Sequence, residues 1–304
     1  MKILFTGASS FTGYWFVRKL AQAGHDVTCP ITGELENYTE VRRIRVHQLK
    51  NFSNLMPRCS FGSDAFLSLA GSAKFDLLCH HAADVTNYKS PDFHTIRALQ
   101  NNTHNLVGVL KTMACPVLLT GSVFENDEGA GDDLLNAFSP YGLSKGLTWQ
   151  FFRYYCGMAS LPLGKFVIPN PFGPYEEPRF TAFLLKNWKV GQPAEIKTPN
   201  YFRDNIHVDL LAGAYAIFAE KISKSNACLL RLNPSGYVEK QGAFAERIQR
   251  ETRARTNWTC ELKLARQENF SEPMNRTNTE PASMFVPHWN ESAAWDAFVF
   301  YYAA

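Results

Sequence analysis

The first 23 residues set the narrowest limits on the fold. Lys2-Ile-Leu-Phe-Thr6 is a short apolar run of the kind that forms a buried parallel strand. It meets Gly7-Ala-Ser-Ser-Phe-Thr-Gly13, and an amphipathic segment follows from Tyr14 to Ala23. Strand, glycine turn and helix in that order form the setting that binds a dinucleotide pyrophosphate. Gly7 allows the tight turn, and Gly13 lets the helix pack close to the sheet. The helix start then turns backbone N–H groups and a positive dipole end toward the phosphates. Candidate cofactor contacts are therefore Gly7, Ser9, Ser10, Phe11, Thr12 and Gly13. Ser10 stands where the usual pattern has its middle glycine, and a hydroxymethyl group can be accommodated there.

The alternation continues. Strands are predicted over His25–Cys29, within Val41–Leu49, and over Phe75–Cys79, Pro116–Thr120 and Gly164–Ile168. Helices are predicted over Asp64–Ala70, Thr95–Met113 and Ser139–Gly157. Such alternation argues for a parallel sheet with right-handed crossovers. The expected class is α/β: a Rossmann-type doubly wound parallel sheet with a smaller C-terminal substrate-binding lobe. The turn-rich stretch Pro169–Pro178 divides residues 1–168 from 169–304. Residues 206–232 are expected to return to the sheet through a strand at Leu229–Leu232. Further helices are predicted over Thr181–Lys189, Ala243–Arg253 and the aromatic tail near Trp295.

Composition removes several classes of function. Of 304 residues 45% are hydrophobic and 19% charged, the balance of a globular protein with a sizeable core. The net charge is +3 with no basic run, so nucleic-acid binding has no electrostatic support. No apolar run approaches the roughly 18 residues that span a bilayer. Seven cysteines without a CxxC read as reduced thiols in a reducing compartment, and a cytoplasmic location without a secretory signal is expected. His80 and His81 are adjacent, but no carboxylate or thiol lies at ligand spacing on the same element, so no metal site is expected. Ala82 and Ala83 suit close approach of backbone to a cofactor.

Tyr141 and Lys145 lie four residues apart on a predicted helix, hence on one face. A phenol has a pKa near 10, and an adjacent ammonium lowers it, which would fit Tyr141 to exchange a proton with a carbonyl or alcohol oxygen. Thr120 and Ser122, at the carboxyl end of the fifth strand, open toward the crevice where doubly wound sheets bind ligands. After the second strand, Pro30-Ile-Thr-Gly33 carries no carboxylate before Glu34. A carboxylate there usually binds the ribose hydroxyls of NAD, so its absence tilts the choice between NAD and NADP toward NADP. No arginine replaces it in that run; Arg42 or Arg43 would have to reach in.

Together these residues resemble the extended short-chain dehydrogenase/reductase family, in its branch that remodels nucleotide-linked sugars. The resemblance rests on Gly7-x-x-Ser-x-x-Gly13, His80-x-Ala-Ala83, Thr120-x-x-Val-Phe124, Tyr141-x-x-x-Lys145, Asn170-x-x-Gly-Pro174 and Arg203-Asp-x-Ile-His-Val208. It implies that Tyr141 is the acid/base, that Lys145 holds the nicotinamide ribose, and that Thr120 or its rival Ser122 is the active-site hydroxyl. Thr32, Ala82, Ala83 and Pro169 would complete the cofactor lining. Asn170, Arg203 and Arg276 would bind the nucleotide diphosphate, whose oxygens suit a guanidinium fork. Dehydratases of this branch follow the active-site Thr with an Asp-Glu pair; Gly121 and Ser122 stand there, which disfavours water loss. The implied activity is NAD(P)-dependent hydride transfer on a nucleotide-activated sugar at C4, as a 4-keto-sugar reductase or a 4-epimerase. The alternatives are a reductase of a non-nucleotide carbonyl and a non-catalytic dinucleotide-binding regulator. The family's habit of pairing through the Tyr–Lys helix implies a homodimer; the aromatics Trp149, Phe151, Phe152, Tyr154 and Tyr155 fit such a face or a buried one.

Overall fold

Seven parallel strands form the centre of the molecule in a computed structural model that describes residues 1–132 and 134–304. They are β1 (Lys2–Thr6), β2 (Asp26–Pro30), β3 (Asn54–Met56), β4 (Leu77–His80), β5 (Val117–Ser122), β6 (Leu163–Ile168) and the strand Leu229–Leu232. From one edge the order is Leu229–Leu232, β6, β5, β4, β1, β2, β3. The chain reverses direction across the sheet between β1 and β4, and a crevice opens at the carboxyl ends there.

Two apolar layers cover the sheet. On one face the helices Phe11–Gln22 and Val208–Ser223 pack Phe16, Leu20, Leu211 and Tyr215 against Ile3, Phe5, Leu118 and Phe166. On the other, the helices Asp64–Gly71, Leu106–Met113 and Pro140–Met158 pack Phe66, Val109, Trp149 and Phe152 against Leu4, Leu78, Val117 and Leu119. Strand alternation thus sends Leu118 and Leu119 to opposite faces. A third cluster, including Phe172, Trp188, Phe244, Trp295 and Phe298, forms the core of the C-terminal region. There the strand Phe202–His207 pairs with Asn170–Phe172, Tyr237–Lys240 and Asn275–Arg276. No helix among the described residues is long and apolar enough to cross a membrane.

Two expectations are corrected. Val41–Leu49 holds no strand: Glu40–Leu49 is a helix, and the third strand is Asn54–Met56. The buried face of that helix comprises Arg45, Val46 and Leu49, so a charged residue interrupts its apolar pattern. Thr95–Met113 is two helices, Thr95–Asn102 and Leu106–Met113: the first is capped at Thr103, and Asn105, in a left-handed conformation (φ 48°), begins the second.

Candidate active site

The glycine turn has the shape its sequence requires. Gly7 has φ 81°, and a Cβ on it would lie 2.7 Å from the Ala82 nitrogen; one on Gly13 would lie 2.2 Å from the Gly7 carbonyl oxygen. Ser10 caps the helix: its hydroxyl donates to the Gly7 carbonyl (2.9 Å) and accepts from the Gly13 amide (3.1 Å). The serine at the middle position therefore completes the turn rather than obstructing it. Gly7 and Gly13 are required by the protein backbone that packs against them, and the helix N-terminus they position carries the amides and positive dipole end that suit a dinucleotide pyrophosphate.

Around this turn lie Arg42, which the sequence offers alongside Arg43, and further contacts that sequence reasoning missed. Arg42 donates through Nε and Nη2 to the Ser9 hydroxyl (3.1 and 2.7 Å), and its guanidinium lies 4.9 Å from the Tyr38 ring centre. Glu34, the nearest carboxylate after β2, is ion-paired with Arg58. Arg45 is fully buried; it donates to the Ser9 carbonyl (3.0 Å) and the Tyr175 carbonyl (2.7 Å) and pairs with Glu177. The turn is thereby fastened to the loop after β6. Thr32, at the mouth of this region, is exposed.

His81 supplies another contact. Its Nε2 lies 3.1 Å from the Ser10 hydroxyl and 3.0 Å from that of Thr12, and its Nδ1 lies 3.0 Å from the Thr120 hydroxyl. Burial, with the Lys145 cation adding to it, lowers its pKa to about 3, so the ring is neutral. Since Ser10 donates to Gly7, Nε2–H is the donor on that side and Nδ1 accepts from Thr120. His80 is buried between Phe61 and Phe152 and bonds the Thr6 hydroxyl (3.1 Å), which also accepts from the Ala82 amide (3.1 Å). Among the described residues no group of three potential metal-ligating side chains comes together.

Ser139 caps the helix that carries Tyr141 and Lys145, accepting from the Gly142 amide (3.3 Å), and Pro140 opens the first turn. Tyr141 lies edge-on to Tyr88 and Phe93, with ring centres 5.5 and 5.8 Å away. Lys145 is buried and donates to the Thr120 carbonyl at 2.6 Å. Here the expected electrostatics is corrected. Lys145 does not pull the phenol down: burial, then the Glu125 carboxylate and Tyr88, hold Tyr141 above its ordinary value, and Arg179 opposes them weakly. Burial lowers Lys145 to about 8. Tyr141 is a proton-bearing phenol, and Lys145 is an ammonium below about pH 8.

The two candidate hydroxyls are both engaged. Thr120 points to the Leu118 face of the sheet and is bonded to His81, away from the helix bearing Tyr141; its carbonyl is what Lys145 reaches. The Ser122 hydroxyl accepts from the Phe124 amide at 3.2 Å. The structure does not bring either hydroxyl to Tyr141. The intervening Gly121 leaves room for the charged side chains beside it, since a Cβ on it would lie 2.7 Å from Lys165 Cε and 3.1 Å from a Glu125 carboxylate oxygen.

Of the expected diphosphate ligands, Asn170 donates to the Asp204 carbonyl (3.2 Å), directly after the buried Pro169. Arg203 and Arg276 converge on Phe138, 5.9 and 4.9 Å from its ring centre. Arg203 bonds the carbonyls of Phe202 and Pro273 and pairs with the largely exposed Glu272 at 2.6 Å, a partner that another anion can replace. Arg276 is different. At 1% exposure it donates through Nη1 and Nη2 to the carbonyls of Val123, Glu125, Glu128 and Asn136, which makes it a buried brace of the protein, and its buried Nε has no partner among the described residues.

A doubly wound sheet with a glycine turn at its switch point, and a Tyr–Lys helix beside it, defines a dinucleotide-binding protein of the short-chain dehydrogenase type. The sequence matches the NAD dependent epimerase/dehydratase family over residues 3–228, and the chain belongs to that family. No curated protein matches it. Similar solved structures include the UDP-glucose 4-epimerase of Thermotoga maritima with UDP-glucose (15% identity, 99% of this chain and 98% of that one, TM-score 0.75). They also include the UDP-glucuronic acid 4-epimerase of Bacillus cereus with UDP-glucuronic acid and NAD (17%, 99% of each chain, 0.74). A third is DesIV, the dTDP-glucose 4,6-dehydratase of Streptomyces venezuelae with NAD bound (15%, 99% and 97%, 0.74). At these identities the likeness is one of fold.

Proposed function

We propose that the chain is an NADP(H)-dependent reductase of a nucleotide-linked 4-keto sugar. The observation that carries this reading is the end of β2, where the Arg42 guanidinium lies on the glycine turn and Glu34, the first carboxylate after that strand, is paired with Arg58. A ribose 2′-phosphate gains a cation there, and a ribose 2′-hydroxyl finds no acceptor carboxylate. NADPH binding should therefore exceed NADH binding by at least tenfold, read by quenching of protein fluorescence. Arg42→Ala should remove most of that preference. Equal affinities in the unaltered protein would sink the NADP assignment.

The bound nicotinamide supplies the hydride. Tyr141, held protonated by its surroundings, donates its phenolic proton to the carbonyl oxygen as that oxygen gains charge, and the Lys145 ammonium one helical turn away would hold the nicotinamide ribose. Asn170 and Arg203 bind the nucleotide diphosphate, which displaces Glu272 from Arg203. Gly121 argues against elimination of water, because Lys165 and Glu125 fill the space that an acidic side chain at that position would need. The 4-epimerases among the similar folds favour a second reading, oxidation and re-reduction at C4 with retained NAD.

A panel of UDP-, GDP-, CDP- and dTDP-sugars tests the substrate class. A ligand at 100 times its Kd adds about 2.7 kcal/mol of stability, which a thermal melt detects readily. A melting temperature unmoved by all four classes would discard the nucleotide-sugar reading in favour of a simpler carbonyl substrate.

A further inference from the structure

Beneath the crevice lies a buried charge cluster to which the reading above assigns no role in the reaction. Lys165, in the middle of β6 and 1% exposed, donates to Glu125 (2.6 Å) and Glu128 (2.5 Å) and sits 4.7 Å from the Trp149 ring centre. Glu125 is fully buried, and its other oxygen accepts from the Ser122 amide at 2.7 Å. The second oxygen of Glu128 is held by Arg231 (2.5 Å) and Asn233 (3.3 Å). Two carboxylates thus face two cations. Lys145 stands outside that balance: its hydrogen bond is to an uncharged carbonyl.

Glu125 is set against the helix of Tyr141 and Lys145 by three glycines. A Cβ on Gly121 would lie 3.1 Å from its carboxylate, one on Gly146 would lie 4.0 Å from its own Cβ, and one on Gly142 would meet the Phe124 carbonyl at 2.2 Å. Lys145 reaches the Thr120 carbonyl, directly before Gly121, so the buried Glu125 carboxylate beside Gly121 lies next to the end of the Lys145 side chain. The other titratable groups around Lys145 are His80 and His81, both neutral, and Lys165, which opposes its charge. Tyr88 and Arg179 face Tyr141, and Arg276 braces the Glu125 carbonyl.

We infer that Glu125 is a positioning residue for the proton transfer: its carboxylate, fixed by Lys165 and the Ser122 amide, keeps Lys145 an ammonium and Tyr141 a phenol. The inference deepens the proposed reaction and rests on it for its catalytic meaning. The charge relation itself is measurable without a substrate. Both groups respond in the same sense, since removing a negative charge disfavours the protonated form of each.

The test follows the Lys145 Nζ resonance of uniformly 15N-labelled protein against pH, assigned by its loss in Lys145→Met. Glu125→Gln keeps the shape and the bond to Ser122 and removes the charge. Its Lys145 midpoint should fall by about one pH unit. If the Gln variant does not fold, Glu125→Asp, which withdraws the charge by one methylene, should move the midpoint in the same direction. A midpoint within about 0.2 unit of the unaltered protein, even with a lowered melting temperature, would show that Glu125 only supports the fold and would overturn the inference. A sugar panel without response leaves this titration intact, so the two readings fail separately.

Discussion

Tyr141→Phe should lower kcat about 1,000-fold, while NADPH affinity changes by no more than about twofold. The proposed mechanism draws its proton from this phenol, and the substitution removes a single oxygen from a ring already packed against Tyr88 and Phe93. Little else should change, so the melting temperature serves as the control. Lys145→Met should differ: it removes the ribose contact the family implies, and with it the placement of the nicotinamide beside Tyr141, so it should lower kcat and weaken cofactor binding together. Single-turnover measurement with NADPH and a responding sugar separates the two effects. Wild-type turnover in Tyr141→Phe would discard the mechanism.

The second large effect is on stability. Lys165→Met should destabilise the protein by about 3–5 kcal/mol, because it leaves Glu125 without its hydrogen-bonded cation and Glu128 with only the partly exposed Arg231. Denaturant unfolding should show this, with a fall in melting temperature on the order of 10 °C. The deficit should shrink on acidification: a buried carboxylate without its cation has a raised folded-state pKa, so the stability linked to its protonation is present at low pH and lost as pH rises. The combined variant Glu125→Gln/Lys165→Met/Glu128→Gln should recover more than half the loss. A Lys165→Met protein within about 1 kcal/mol of the parent would show that the cluster has little energetic weight.

What was legible in the sequence was local. The turn at Gly7–Gly13 and the pair Tyr141 and Lys145 each depend on neighbours within a few residues, and their backbone arrangement is the expected one. The helix Glu40–Leu49 was hidden because Arg45 occupies the middle of its buried face, where its charge is matched by Glu177, 132 residues away. The fate of Arg276 was likewise invisible, since the carbonyls that enclose it lie 140 to 153 residues earlier. Gly121 signals a missing carboxylate in the sequence, but only Lys165, brought beside it by the pairing of β5 with β6, gives the reason. Among the aromatics of the Tyr–Lys helix, Trp149 and Phe152 are buried whereas Phe151 and Tyr154 remain exposed, a division that depends on which neighbours cover the helix.

Arg45 joins the Ser9 carbonyl on one side to Tyr175 and Glu177 on the other, and Trp15, in the first helix, donates to the Pro174 carbonyl at 3.1 Å. The glycine turn and the post-β6 loop are thereby one mechanical unit. Anyone transplanting the N-terminal half into a chimera, or replacing the loop to alter selectivity, will disturb the dinucleotide end as well unless Pro174–Glu177 travels with it.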